Sequence, residues 1–259
     1  MKESWKDFEF LDHPSLVNYI FYPRTDDHPP ANPDHIMHVD LPVEDHITIS
    51  CQFYFCDISG PCVQYFHGNG ELASEYEDVG MIFNGAGINL FVADYRGYGR
   101  SGGHPSISAM IKDSHGVLEG FKSTLQKQGF SGSCFIMGRS LGSASAIELA
   151  ANYPDEFNGL IIESGFCDIT DLIGRLGLTS KHVETPGLDR VRRIEMPSLV
   201  IHGEYDSIVP SAEGEKIFRN LKSADKRMTI IPYADHNSIL AVGMDLYMSE
   251  LKDFIQRHK

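Results

Sequence analysis

The chain has 259 residues, of which 42% are hydrophobic, and it carries a formal net charge of −14. This length and apolar content suffice for the core of one domain of the α/β kind. The acidic excess argues against nucleic acid or an anionic membrane as a partner, because phosphate groups are bound mainly by clustered Lys and Arg. No apolar run approaches the roughly 18 residues of a membrane span. The polar N-terminus leads into no signal-like segment, so we expect a soluble, cytoplasmic protein.

The cysteines and histidines do not form the patterns of a metal site or a disulfide scaffold. The five cysteines are odd in number and have no paired C-x-x-C spacing. The twelve histidines are scattered, and the group His35, His38 and His46 lacks the carboxylates or cysteines that would complete a site. We therefore expect reduced thiols and no metal site.

Residues 1–34 are predicted to be an N-terminal extension to an α/β domain at 35–259. The extension holds enough apolar residues to pack on the domain, and a turn-rich connector occupies 23–33. Strands are predicted at 35–43 and 46–56, and the second alternates apolar with polar residues. The two are expected to pair in an antiparallel manner at a sheet edge.

A short strand at 62–66 runs directly into the sequence His-Gly-Asn-Gly at 67–70, and a helix is predicted from 71 to 84. A glycine-bearing loop after a strand lets the backbone approach a ligand closely, which an oxyanion donor requires. We take the backbone N–H of Asn69 as the candidate donor. The alternative is an ordinary turn between a strand and a helix.

Another buried strand, at 89–93, is followed by a turn-rich stretch at 94–102. This stretch contains three side chains that resemble catalytic groups, Asp94, Arg96 and Ser101. We assign them to hydrogen bonds and ion pairs that brace the loop. A long helix is predicted from 105 to 128.

The stretch at 134–146 is the centre of the functional interpretation. An apolar run ends at Gly138, Ser140 and Gly142 follow at two-residue intervals, and a helical pattern of small residues begins. This spacing fits a nucleophile elbow, in which a strained serine projects from a strand-to-helix turn. The backbone N–H of Leu141, at the helix start, would bind an oxyanion. Alternatively, the serine only caps the helix.

The elements after this turn alternate in type. Strands are predicted at 159–163, 197–203 and 227–232, and helices at 141–153, 211–221 and in a closing segment that ends at 256. Short helical pieces separated by turns at about 166–194 are predicted to form a small cap over the site. Two strands followed by six that alternate with helices indicate an eight-stranded, mostly parallel sheet with helices on both faces. In such a sheet, ligands bind at the carboxyl ends of the strands.

A serine nucleophile needs a neighbouring base, usually a histidine that is held by a carboxylate. Asp206 and His236 each follow a predicted strand, and the chain order of Ser140, Asp206 and His236 is the one expected for this architecture. Glu163 is the rival to Asp206, because it also ends a strand after the serine.

Three other side chains near these positions have a structural interpretation. His67 and His202 each precede a glycine turn and are expected to make structural hydrogen bonds. Asp235 is adjacent to His236 in sequence and is expected to point elsewhere.

Five short motifs carry a resemblance to a known family. They are HGNG at 67–70, DYRGYGRS at 94–101, GRSLG at 138–142, GEYD at 203–206 and ADHN at 234–237. With these motifs in this order, the chain resembles an α/β-hydrolase-superfamily serine hydrolase. It is most similar to the lid-poor α/β-hydrolase-domain group of esterases and thioesterases. The resemblance implies hydrolysis of carboxylic esters or thioesters without a metal or cofactor.

The predicted function is therefore cleavage of a small-molecule acyl substrate through an acyl-enzyme on Ser140. His236 would act as general base and Asp206 would orient it, while Asn69 and Leu141 would form the oxyanion hole. One alternative is a peptidase or amidase with the same triad, which would need a site for the amino terminus of its substrate. Another is a noncatalytic binding protein on the hydrolase fold. Dehalogenation is disfavoured, because it usually needs a carboxylate in place of the serine.

Overall fold

A computed structural model describes residues 4–26, 34–168 and 186–259 of the chain. Contacts between residues divide the chain into two compact units, Met1–Cys134 and Phe135–Lys259. The five cysteines are all free thiols. Within the described ranges, no helix has both the length and the apolarity that a membrane crossing needs. The same ranges contain no group of His, Cys, Asp and Glu side chains that could hold a metal ion.

The first unit contains four strands in the spatial order β1, β2, β4, β3. They are β1 (Ile36–Glu44), β2 (Ile47–Tyr54), β3 (Cys62–Phe66) and β4 (Asn89–Ala93). β2 is antiparallel to both β1 and β4, whereas β3 and β4 are parallel. The predicted antiparallel pair at the edge is therefore present. Two polar residues of β2 are also buried, Ser50 at 2% and Gln52 at 6% exposure, whereas Thr48 is exposed.

Helices precede and connect these strands. They are α1 (Pro14–Ile20), α2 (Glu77–Gly85) and α3 (Ile107–Gln128), with 3-10 helices at Ser4–Leu11 and Ala73–Tyr76. α3 begins where the Ser106 hydroxyl accepts a hydrogen bond from the backbone N–H of Ala109, and it ends at Gly129, whose φ of 79° is left-handed. The helix predicted from residue 71 starts later, as a 3-10 turn that leads into α2.

The second unit contains four consecutive parallel strands in the order β5, β6, β7, β8. They are β5 (Cys134–Arg139), β6 (Gly159–Glu163), β7 (Ser198–Gly203) and β8 (Lys226–Ile231). Every residue of β6 and β7 is buried, as expected for parallel strands that are covered on both faces. The described helices are α4 (Ser143–Asn152), α5 (Pro186–Val191), α6 (Ser211–Asn220) and α7 (Ile239–His258).

The prediction of eight strands in a mostly parallel α/β arrangement is confirmed. Because β5 to β8 are parallel, their carboxyl ends lie at one edge of the sheet, which brings the loops after these strands together. The small cap predicted at about 166–194 lies largely outside the described residues, since only 166–168 and 186–194 of that range are described.

Candidate active site

The turn between β5 and α4 has the geometry of a nucleophile elbow. Ser140 has a φ of 50°, a left-handed value that costs a residue other than glycine about 1–3 kcal/mol. A Cβ atom on Gly138 would lie 2.5 Å from the carbonyl oxygen of Gly142 and 2.8 Å from the Cβ of Ala146. Only glycine fits at position 138, because the backbone of the following turn packs directly against it.

The two glycines of the motif differ in whether their surroundings require glycine. Gly142 has ordinary right-handed angles, with φ −63° and ψ −17°, so its backbone conformation does not require glycine. The next residue holds the turn instead: the Ser143 hydroxyl donates to the carbonyl oxygen of Ser140 at 2.6 Å and accepts from the backbone N–H of Phe166 at 3.2 Å. The sequence motif did not single out Ser143.

Ser140, His236 and Asp206 form a continuous chain of hydrogen bonds. His236 Nε2 lies 3.0 Å from Ser140 Oγ, and His236 Nδ1 lies 2.7 Å from Asp206 Oδ2. The loop after β7 supplies Asp206 and the loop after β8 supplies His236. Because a carboxylate accepts only, Nδ1 carries the proton and Nε2 keeps its lone pair for the serine hydroxyl. All three residues are buried, with exposures of 8%, 6% and 6%.

The carboxylate of Asp206 is held on both oxygens. Oδ1 accepts the backbone N–H groups of Ile208 at 3.0 Å and Val209 at 2.8 Å, while Oδ2 faces the two imidazoles of His202 and His236. Burial raises the pKa of Asp206, but the hydrogen bonds from His202 and His236 outweigh burial and leave its pKa below the usual range. Asp206 is therefore ionised at neutral pH.

His202 lies behind this carboxylate. Its Nε2 is 2.7 Å from the carbonyl oxygen of Val209 and 3.3 Å from Asp206 Oδ2. Both oxygens accept, so Nε2 carries the proton and donates to them. We predicted only a structural role for His202, and its contact with Asp206 was not foreseen. The Nδ1 atom of His202 is buried without a partner among the described residues.

Glu163, the rival acid, lies elsewhere in the same unit. Its Oε1 accepts from Arg139 Nε at 3.1 Å, and its Oε2 accepts from the Tyr247 hydroxyl at 2.7 Å. Asp206, not Glu163, bonds to the His236 ring. Asp235 accepts two backbone N–H groups from the turn that follows it, each at 2.9 Å, so its carboxylate closes that turn.

Arg139 connects the turn that carries Ser140 to the loop that carries His236. Its Nη2 donates to the carbonyl oxygen of His236 at 2.8 Å and to Asn237 Oδ1 at 3.1 Å. The side chain is 11% exposed. Position 139 is a variable position of the elbow motif, so the motif did not identify this residue.

Asn69 lies in the first unit, in the loop that follows β3. Its Oδ1 accepts the backbone N–H of Tyr22 at 3.0 Å and the Tyr98 hydroxyl at 2.7 Å, and its amide donates to the carbonyl oxygen of Ile20. The side chain thus ties the loop to residues 20–22. In the described part of the chain, the backbone N–H of Asn69 has no hydrogen-bond acceptor, and an oxyanion donor requires an N–H of this kind.

His67 is an ion-pair partner of Asp94 in that unit. Its Nε2 lies 3.1 Å from Asp94 Oδ1 and its Nδ1 lies 2.7 Å from the carbonyl oxygen of Gly68. Burial lowers the pKa of His67, but the hydrogen bond and charge of Asp94 outweigh burial and leave the pKa raised. Both ring nitrogens donate, so His67 has no lone pair to act as a base.

The loop at 94–102 uses its polar side chains within the first unit. Arg96 pairs with Asp113 at 2.6 Å and with Glu44 at 2.7 Å. The Ser101 hydroxyl accepts the backbone N–H of Ser50 at 2.9 Å. These contacts match the loop-bracing roles expected for them.

Comparison with known proteins places the chain in a family. A family model described as "Serine aminopeptidase, S33" matches residues 60–188 and 186–240. Protein bem46 of Schizosaccharomyces pombe is 31% identical over 208 residues, which cover 76% of this chain and 68% of that protein. The α/β-hydrolase domain-containing protein WAV2 of Arabidopsis thaliana is 26% identical over 225 residues, which cover 79% of this chain and 72% of that protein.

A solved structure gives the same result for the fold. The esterase Pf2001 of Pyrococcus furiosus superposes with a TM-score of 0.75 at 19% sequence identity, over 92% of this chain and 98% of that one. At this identity the likeness concerns the fold alone, and it confirms the predicted α/β-hydrolase fold. With the family model matching well over half of the residues, the chain belongs to the α/β-hydrolase family.

Proposed function

We propose that this protein is a serine hydrolase that cleaves carboxylic ester or thioester bonds through an acyl-enzyme on Ser140. The observation that carries the proposal is the hydrogen-bonded series from Ser140 through His236 to Asp206, with distances of 3.0 Å and 2.7 Å. A serine alone is a poor nucleophile at neutral pH, and this arrangement is the one that activates it.

In the proposed mechanism, His236 Nε2 takes the hydroxyl proton as Ser140 Oγ attacks the acyl carbonyl. Asp206 holds the imidazole in the required tautomer and stabilises the imidazolium that forms. His236 then returns the proton to the leaving alcohol or thiol, and the acyl-enzyme remains. A water molecule, deprotonated by His236, hydrolyses that ester and frees Ser140.

The negative charge that develops on the carbonyl oxygen needs backbone donors. Leu141 follows the nucleophile in the 3-10 helix Ser140–Gly142, where the first N–H groups lack intrahelical partners. We propose its N–H as one donor and that of Asn69 as the second. Loss of one such donor typically costs about 100- to 1000-fold in rate.

The substrate class is part of the proposal. The sequence motifs resemble those of the lid-poor α/β-hydrolase-domain esterases and thioesterases, which supports a small acyl ester or thioester as the first candidate. The family model is described as a serine aminopeptidase, so hydrolysis of an amide at a free amino terminus is the second candidate. Both use the same triad and differ in the leaving group.

Turnover of three matched substrate sets tests the proposal. Short-chain p-nitrophenyl esters, acyl thioesters and aminoacyl p-nitroanilides are each assayed with the wild type, Ser140→Ala and Ser145→Ala. Ser145 is a suitable control, because its buried hydroxyl has no hydrogen-bond partner within the described ranges. We expect ester or thioester turnover that Ser140→Ala abolishes and Ser145→Ala retains. Preferential anilide turnover would favour the aminopeptidase, and a folded but inert wild type would favour a noncatalytic binding protein.

A further inference from the structure

Arg139 connects the strand that leads to Ser140 with the loop that carries His236. The transfer of a proton from Ser140 to His236 does not itself require this connection. It is the last residue of β5 and precedes Ser140 directly. Its guanidinium contacts the histidine loop by two hydrogen bonds, at 2.8 Å to the carbonyl oxygen of His236 and at 3.1 Å to Asn237 Oδ1. One side chain therefore links the backbone beside the nucleophile to the backbone of the base.

The loop that carries His236 needs such a link. It runs between β8, which ends at Ile231, and α7, which begins at Ile239. Asp206 fixes the imidazole ring through Nδ1, but a ring can be held while its backbone shifts. Because a displacement of about 1 Å can cost about 100-fold in rate, the position of the His236 backbone matters as much as its tautomer.

Glu163 and Tyr247 in turn hold Arg139. Glu163 is paired with Arg139 in the register of β5 and β6, and its carboxylate accepts from Arg139 Nε at 3.1 Å and from the Tyr247 hydroxyl at 2.7 Å. Tyr247 is 1% exposed and belongs to α7, the helix that begins after the His236 loop. The series thus extends from the nucleophile strand to the helix behind the base.

The charges of Arg139 and Glu163 also bear on the imidazolium that His236 forms in the proposed reaction. A guanidinium next to His236 would by itself oppose formation of the imidazolium, since like charges disfavour each other. Glu163 pairs with Arg139 at 3.1 Å and offsets that charge. The planar guanidinium has its donors in a fixed fork and bonds Glu163, Asn237 and the His236 carbonyl together. A lysine ammonium has three donors on a single atom and lacks this fork.

We propose that Arg139 is a positioning residue. It holds the backbone of His236 at the correct distance from Ser140, and Glu163 and Tyr247 orient its guanidinium. The proposal rests on the proposed hydrolase function, in which His236 is the base. It also gives Glu163 a role at this edge of the sheet other than that of the triad acid.

The test compares two double variants that each remove an arginine–glutamate pair. Arg139→Met with Glu163→Gln breaks the link without leaving a buried charge unpaired. Arg227→Met with Glu250→Gln is the matched control, because that pair joins β8 to α7 at 2.7 Å, on the same two elements that flank the His236 loop. Arg139→Lys is the conservative variant. Thermal unfolding checks that each protein is folded.

Two measurements are made on each protein. In steady-state hydrolysis of the best ester, the Arg139 double variant should lose about 10- to 100-fold in kcat with KM unchanged, because Arg139 acts on the base and not on the substrate. Arg139→Lys should recover part of that loss. In hydrogen exchange, the peptide covering 232–238 should exchange faster in the Arg139 double variant than in the wild type. The control should resemble the wild type in both.

The outcomes separate this proposal from the proposed function. A folded Arg139 double variant with wild-type kcat, or with unchanged exchange at 232–238, would overturn the positioning role. A rise in KM with an unchanged kcat would also contradict it. If the wild type turns over no substrate, the hydrolase proposal fails, and the exchange measurement still decides whether Arg139 holds the loop.

Discussion

His202 Nε2 lies 3.3 Å from Oδ2 of Asp206, and both side chains are fully buried. The same Nε2 donates to the carbonyl oxygen of Val209 at 2.7 Å. The candidate triad acid is thus contacted by a second imidazole, whose N–H is shared between Asp206 and the Val209 carbonyl oxygen. This hydrogen bond lowers the free-energy cost of keeping a buried carboxylate ionised.

Replacing His202 should therefore weaken the fold. His202→Phe keeps an aromatic ring but removes the N–H donor, which leaves the Val209 carbonyl and one side of Asp206 without it. We expect a loss of about 1–3 kcal/mol in the free energy of unfolding, measured by urea denaturation at neutral pH. His202→Gln keeps an N–H donor and should lose less. Equal stability of all three proteins would show that the contact contributes nothing.

The pH dependence of stability should report Asp206. Its pKa is lowered in the folded protein, so its ionised form stabilises the fold fully above the unfolded-state pKa of about 4, and this contribution is lost as the pH falls toward the folded value. Asp206→Asn cannot titrate. The gap in unfolding free energy between wild type and Asp206→Asn should be largest near neutral pH and should narrow below about pH 4. A gap that is constant with pH would refute the assignment.

Activity should distinguish the two candidate acids. Asp206→Asn leaves His236 with the wrong tautomer preference, and we expect kcat to fall by about 1,000- to 10,000-fold. Glu163→Gln still offers an oxygen to Arg139 and does not touch the His236 ring, so its loss should be at least about 100-fold smaller. The reverse ranking would identify Glu163 as the acid. Kinetics with one ester at neutral pH suffice for the comparison.

The N-terminal segment should contribute to the stability of the first unit. Leu11 is 1% exposed, whereas its neighbour Phe10 is 49% exposed. Asp12, next along the chain, accepts hydrogen bonds from the backbone N–H and the hydroxyl of Ser108 in α3. Leu11→Ala should cost about 2–5 kcal/mol in unfolding free energy, and Phe10→Ala should cost little. Two equal and small losses, measured by thermal unfolding, would show that the segment does not pack as described.

Local pattern was enough to predict most elements of the fold. The strands end within a few residues of their predicted limits. Apolar runs, glycines and prolines determine where a strand begins and ends, and they act through neighbouring residues only. β2 was the exception in detail. It alternates apolar with polar residues, yet Ser50 and Gln52 are buried. The helix α2 packs on this face, where Gly80 lies against the side chain of Tyr54.

Contacts over long sequence separations could not be predicted in the same way. The motif placed Ser140, Asp206 and His236 at strand ends, and a parallel sheet brings such ends together. Nothing local links Arg139 to a carbonyl 97 residues away, and nothing indicates that His202 would turn toward Asp206. Side chains of this kind are selected by the packed structure, and no spacing rule identifies them.

The most direct test of the central claim is covalent labelling of Ser140. The wild type is treated with a fluorophosphonate, and intact-mass spectrometry and peptide mapping locate the adduct. An activated serine predicts one adduct per chain, on the peptide that contains Ser140, and none in a folded Ser140→Ala variant. An adduct that persists in Ser140→Ala, or a folded wild type that takes up no label, would contradict Ser140 as the nucleophile.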